Sequence, residues 1–212
     1  MTLNDELFAQ LGDSGLQQIA GLLGTDTATA RQVVEASAGT IVGGMATNAE
    51  DADGAQALRS ALDQHVDADP FNGDVANLAK DGQGILGHVL GDQGTEQAAA
   101  GISQFAGINS NTIMKLLPLL APMVMSLLAN RASKQNMDAG AVAQDLDQEK
   151  SSAMSGGLGD LLGAVLGGGG AGGLGGLLGG LLGGGQQAPQ QQAQPEPQRQ
   201  PQAAQGTSNP DW

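Results

Sequence analysis

The feature that most constrains this chain is an internal repeat. Ile19, Gly24, Thr29, Ala38, Ala46 and Ala49 recur as Ile102, Gly107, Thr112, Ala121, Ala129 and Ala132, all at one offset of 83 residues. Apolar character is kept between these identities: Val33-Val34 aligns with Leu116-Leu117, Ile41-Val42 with Val124-Met125, and Met45 with Leu128. A repeated unit of this length is a supersecondary element that buries its apolar face against its own copy. The copies span about 13–49 and 96–132.

Each copy reads as a helical hairpin. Gly24 and Gly107 stand where a helix ends, because glycine adopts positive φ without cost. Asp26 or Thr27 in one copy, and Asn109 or Ser110 in the other, can cap the helix that follows. Ala30, Val33, Val34, Ala38, Ile41, Val42, Met45 and Ala49 then advance by threes and fours, as do Ile113, Leu116, Leu117, Leu120, Val124 and Leu128. That is the spacing of one helix face. The second of these helices is also apolar between those positions, at Leu119, Met123 and Met125, which predicts a central buried helix. Its Pro118 and Pro122 align with Glu35 and Gly39, and a bend is expected at the same point of both copies. Around the hairpins, helices are predicted over 54–66, with Ala57, Leu58, Ala61 and Leu62 on one face, over 75–79 and 84–90 about a turn at Lys80–Gly84, and over 139–149. No strand-like alternation competes, so the fold class is all-α: a helical bundle built on a duplicated helix-Gly-x-Asx-helix hairpin.

Composition divides the chain into three zones. Residues 1–150 hold 19 of the 22 acids and 7 of the 8 bases and form the expected domain. Residues 156–185 carry 17 Gly, 9 Leu and one charge, Asp160. Here Leu158, Leu161, Leu162, Val165 and Leu166, and again Leu174, Leu177, Leu178, Leu181 and Leu182, keep helical spacing. Glycines every fourth residue would leave smooth faces for close helix approach, although glycine opposes an isolated helix. Residues 186–212, with ten Gln and five Pro, are too poor in apolar residues to fold alone and are expected to be disordered. They end on Trp212, the only tryptophan, at an acidic tip that would suit a short recognition peptide.

The segment Asp81-Gly82-Gln83-Gly84-Ile85-Leu86-Gly87-His88-Val89-Leu90-Gly91 resembles the signature of a bacterial family, domain of unknown function 937, which includes YidB-like proteins. Ala55–Asp63 and the proline-containing apolar helix around Leu116–Ala129 are similar too, so the likeness covers roughly residues 10–135. It departs at Asp63-Gln64-His65-Val66-Asp67, where the family tends to carry Asp-His-Asp-Gly. The resemblance implies an all-helical bacterial domain, makes Asp81, Gly82, Gly84 and His88 the family-signature residues, and brings no assigned activity.

Several function classes are excluded or weakened by the residues themselves. Without cysteine there is no disulfide, thiolate metal site or cysteine nucleophile. A net charge of −14 with scattered Lys and Arg opposes nucleic acid. The hairpins carry only Arg31, Lys115 and Arg131 on their second helices, too few for a helix-turn-helix on phosphate. His88 is the one candidate general base, since histidine as a class titrates near neutrality, but no nucleophile or co-ligand motif accompanies it. Its structural role would be to bond a backbone carbonyl while Asp81 and Gly84 shape the turn. The acidic loop 63–74 fails the calcium register: counted from Asp67, position 5 is Phe71 and position 12 is Leu78. Alternation of Asp63, His65, Asp67 and Asp69 as a metal site is weaker than a solvated acidic loop.

The expectation is therefore a cytoplasmic, non-enzymatic interaction or scaffold protein that takes a protein partner or a second copy of itself, through its apolar helices and residues 156–185. No cofactor, metal, nucleic acid or small-molecule ligand is expected. The start of the chain shows no basic region followed by an apolar run, and no leader is expected from it. Two alternatives stand: a membrane-surface protein using residues 156–185, and a hydrolase-type enzyme centred on His88.

Overall fold

A computed structural model describes residues 1–166 except 67, 69 and 71–74. In order these form α1 (Leu3–Leu23), α2 (Thr27–Asn48), α3 (Ala52–Asp63), α4 (Val75–Val89), α5 (Gly91–Ala106), α6 (Ser110–Lys134), α7 (Ala139–Ala153), a π-helical turn (Met154–Leu158) and α8 (Gly159–Leu166). No strand occurs among the described residues. The fold class is all-α, as the periodicity indicates. The tail 186–212 and the part of the Gly/Leu segment beyond 166 lie outside the described residues.

The hairpin turns carry the expected chemistry. Gly24 and Gly107 both stand at φ +68°, left-handed, and accept the helix ends. Asp26 and Asn109, equivalent positions in the two copies, are the N-caps. Asp26 accepts from the Thr29 backbone N–H at 2.8 Å. That bond, with the Thr29 hydroxyl, holds the Asp26 carboxyl below the usual aspartate range. A carboxylate depressed in the folded state contributes stability above its unfolded pKa and loses it as pH falls through the folded one. Asp26→Asn is therefore expected to flatten the fall of stability below about pH 4, where aspartate protonates, as measured by acid titration of the far-ultraviolet circular dichroism.

The duplication reaches further than the hairpins. Leu11-Gly12-Asp13-Ser14-Gly15 matches Leu90-Gly91-Asp92-Gln93-Gly94, and Gly12 (φ +61°) and Gly91 (φ +71°) both stand at positive φ between consecutive helical segments. This pair lies 79 residues apart, against 83 for Gly24 and Gly107; α5 is longer than the second half of α1 by about one helical turn. The first half of α1 thus corresponds to α4, its second half to α5, α2 to α6 and α3 to α7. Contacts come in exchanged pairs, as two-fold-related copies give: α1 lies on α6 and α5 on α2; α3 lies on α6 and α7 on α2.

The core is centred on both second helices. α6 is buried from Leu116 through Ala132 with little relief, as expected of a central helix. α2 is equally enclosed: Ala36, Ser37, Gly39, Thr40, Gly43 and Gly44 are buried along with its apolar stripe. Its second face is made of small residues, and they let neighbours come close. At Gly39, Ala153, Leu158 and Leu162 stand where a side chain would meet them at 3.5–4.0 Å. At Gly44, a Cβ would strike Leu90 and Val89. One described helix, α6, is long and apolar enough to cross a membrane, with mean hydropathy 1.8, yet 72% of that stretch is buried within the bundle.

Three expectations change. The turn at Lys80–Gly84 and its two short flanking helices are a single helix, α4. Pro122 has no N–H, so the Pro118 carbonyl lacks its usual partner four residues on. Gly82 lies against that oxygen, where any Cβ would collide with it, and the close packing of α4 on α6 outweighs glycine's poor helix propensity. The expected bend is not marked by any break in helix: α6 runs unbroken from Ser110 to Lys134 through both prolines. Third, folded structure continues past residue 150. Leu158, Leu161 and Leu162 are buried, and α8 packs on α2 and α5. Its sequence Leu161-Leu162-Gly163-Ala164-Val165-Leu166-Gly167 repeats Ile85-Leu86-Gly87-His88-Val89-Leu90-Gly91. Leu162, like its equivalents Leu86 and Leu7, is at most 2% exposed. Leu162→Ala should cost about 2–5 kcal/mol in urea unfolding, the usual loss for a fully buried leucine.

Candidate functional site

A cleft of about 550 Å³ opens between α2, α3 and α4, with Met125 of α6 behind it. Helical periodicity builds its walls. On α3, Gly54, Ala57, Leu58 and Ala61 follow at i, i+3, i+4 and i+7, one face, and His65 adds to this wall from the turn just past the helix end. On α4, Lys80, Asp81, Gly84, Ile85, His88 and Val89 form the opposite wall, and Met45 and Asn48 close the α2 end. Small residues, Ala57, Ala61 and Gly84, leave the space, while Gly54 lies against the Asn48 carbonyl; Leu58, Ile85 and the two methionines make the cleft apolar.

Polar groups stand among these walls. His65 Nδ1 lies 2.8 Å from the Ala61 carbonyl oxygen and His88 Nδ1 lies 2.8 Å from the Gly84 carbonyl oxygen. A carbonyl only accepts, so Nδ1 carries the hydrogen in both rings, and in the neutral form Nε2 is the ring's acceptor. Asn48 donates to the Val89 carbonyl at 2.8 Å and ties the end of α4 to α2. The signature residues divide between two tasks. Asp81, Gly84 and His88 line the cleft, whereas Gly82 faces α6. His88 bonds a backbone carbonyl, but Asp81 and Gly84 lie inside a helix and shape no turn.

The corresponding position in the other copy is filled. Arg131, the equivalent of Asn48, is 7% exposed and is held by Glu149 at 2.8 Å, Asp145 at 3.1 Å and Glu6 at 3.1 Å. Burial alone would lower the guanidinium's hold on its proton; the Glu149 hydrogen bond and the charges of Asp145 and Glu6 reverse that and raise its pKa. A charged cluster thus occupies one copy while small side chains empty the other.

The cleft was not legible as a site in the sequence. Its signal is the run of small residues at 57, 61 and 84, invisible until α3 and α4 are known to face each other. Of the acidic loop, Asp63 pairs with Arg59; Asp67, Asp69 and residues 71–74 lie outside the described residues. Among the described residues no group of three or more His, Asp or Glu is placed to hold a metal ion.

Comparison with curated proteins and with solved structures gives no match. A family profile described as "Bacterial protein of unknown function (DUF937)" matches residues 5–131, from the first turn of α1 almost to the end of α6, and includes the whole cleft. On that match, over more than half of its length, the chain belongs to the DUF937 family of bacterial proteins.

Proposed function

We propose that this is a non-enzymatic interaction protein whose α3/α4 cleft receives the apolar face of a peptide helix. The observation that carries the reading is the cleft itself: an open, apolar cleft between two helices, with volume in the range of ligand-binding cavities. Helix-in-groove recognition needs apolar anchors at i, i+3 or i+4 seated between helices. Small walls with Met45 and Met125 behind them suit leucine-sized anchors, because methionine adapts its shape to what it meets. Lys80, Asp81, His65 and His88 among the walls would set the register and direction of the bound segment.

The hydrolase alternative draws support from one observation, the gathering of His65, Asp81 and His88 at the same cleft. The described lining offers no serine, threonine or cysteine for them to activate, which favours binding over covalent chemistry.

The test uses a fluorescent, Leu/Ala-rich amphipathic helical peptide as probe, titrated with the full chain by anisotropy. Saturable binding is expected, weakened at least tenfold by Ala57→Arg, which fills the cleft from an exposed position on α3. Unchanged affinity in that variant, with its circular dichroism intact, would refute the reading.

A further inference from the structure

We infer that a second pocket, between α4, α5 and α6, receives an arginine side chain of a partner peptide together with the aromatic ring beside it. This site goes beyond the α3/α4 cleft and shares no lining residue with it.

The pocket has a volume of about 490 Å³, within the range of ligand sites. Leu86 and Gly87 of α4 line one side, Asp92 and Glu96 of α5 a second, and Met114 and Pro118 of α6 a third. Gly87 leaves the opening, since a Cβ at that position would meet nothing within 4 Å.

The duplication shows what an equivalent space holds. At the offset of 79 residues that relates the first half of α1 to α4, Gly87 stands where the other copy has Phe8, and Leu86 where it has Leu7. At the offset of 83 that relates α2 to α6, Met114 stands where it has Arg31. In that copy the two are stacked, with the Arg31 guanidinium carbon 4.1 Å from the centroid of the Phe8 ring. The positions that supply a cation–π pair in one copy therefore line an open pocket in the other, where the ring is reduced to a hydrogen and the cation is replaced by an adaptable apolar side chain. An occupant that restores the pair, a ring over Gly87 and a guanidinium beside Met114, suits a space that the bundle fills once from its own residues.

Charge points the same way. Asp92 and Glu96 lie one turn apart on one face of α5, and among the described residues neither forms an ion pair. Asp92 is the counterpart of Asp13, so the acid persists in the copy from which the cation has gone. The net charge of −14 draws a basic segment toward the chain before contact. A guanidinium spreads its donors in a plane that can bridge carboxylates while its face rests on a ring; an ammonium lacks that flat face.

The probe is acetyl-Phe-Arg-amide, titrated into the full chain with isotope-labelled methionine methyl groups and followed by nuclear magnetic resonance. Met114 reports on this pocket, Met45 and Met125 on the α3/α4 cleft. A saturable shift of Met114 is expected, with Met45 and Met125 unmoved. Affinity should fall at least tenfold when citrulline, which keeps the shape and removes the charge, replaces the arginine, and by as much in the Asp92→Asn, Glu96→Gln chain. No saturable shift at Met114, or equal affinity for the citrulline peptide, would overturn the inference; shifts confined to Met45 and Met125 would do the same and leave only the cleft. Gly87→Phe combined with Met114→Arg tests the vacated pair without a ligand. The double variant should unfold at a higher urea concentration than the two single changes together predict, and a midpoint at or below that value would overturn the equivalence of the two sites.

Discussion

Gly82→Ala is expected to destabilise the protein by about 3 kcal/mol or more, at the upper end of what overpacking a core costs. The added Cβ meets a backbone carbonyl, that of Pro118, which cannot rotate away as a side chain would. Either α4 lifts from α6, losing the burial of Ile85 and Leu86, or α6 deforms at its prolines. The neighbouring glycines of the same signature predict the opposite sign. At Gly84 and Gly87 an added methyl group would find nothing within 4 Å, and both sit in ordinary helical backbone. Alanine at either should therefore stabilise by up to about 1 kcal/mol, because it removes freedom from the unfolded chain and favours helix. Urea midpoints of the three variants decide the matter. A Gly82→Ala chain as stable as Gly84→Ala would show that α4 and α6 leave room for a methyl group between them.

Arg131→Met should cost about 3–5 kcal/mol, the loss typical of breaking a buried ion cluster from one side. The guanidinium is shared by Glu6, Asp145 and Glu149, and the last two are 19% and 12% exposed. Removing it leaves those carboxylates partly buried and facing one another. It also releases the first turn of α1, whose Leu3 N–H donates to Glu149 Oε1 at 2.9 Å. Hydrogen exchange should therefore quicken first in α1 and α7. Lys150→Ala is the contrast: its partner Glu50 is 62% exposed at 3.6 Å, so the change should stay within about 0.5 kcal/mol. Similar losses for the two would mean that the Arg131 cluster behaves as a solvated surface pair.

Much of the architecture was legible because it depends on local chemistry. A glycine at positive φ followed by an Asx cap marks a helix–helix turn wherever it occurs, and Gly24/Asp26 and Gly107/Asn109 state it twice. Apolar spacing located α2 and α6 for the same reason. What escaped depends on which elements meet. Two glycines in Asp81–Gly84 read as a turn, since only the Pro118 carbonyl explains why a helix would hold Gly82. The second face of α2 carried no apolar signal because glycine, serine and threonine register as weakly polar, although here they are small enough to let α4, α7 and α8 approach. The full repeat was hidden by one extra helical turn in α5, which shifts the offset from 79 to 83. The cleft escaped for the most general reason: it is a space left by residues that lack side chains, and absence has no periodicity.

Binding of an apolar helix in the α3/α4 cleft is the claim on which the functional reading depends. The most direct measurement is a methyl nuclear magnetic resonance titration of the full chain with the Leu/Ala-rich probe peptide, following Ala57, Ala61, Leu58, Ile85 and Val89. Saturable shifts concentrated on those methyls are expected, with Leu3 and Leu7 of α1, which do not line the cleft, unmoved. Shifts spread over the surface, or confined to residues outside α3 and α4, would contradict the claim.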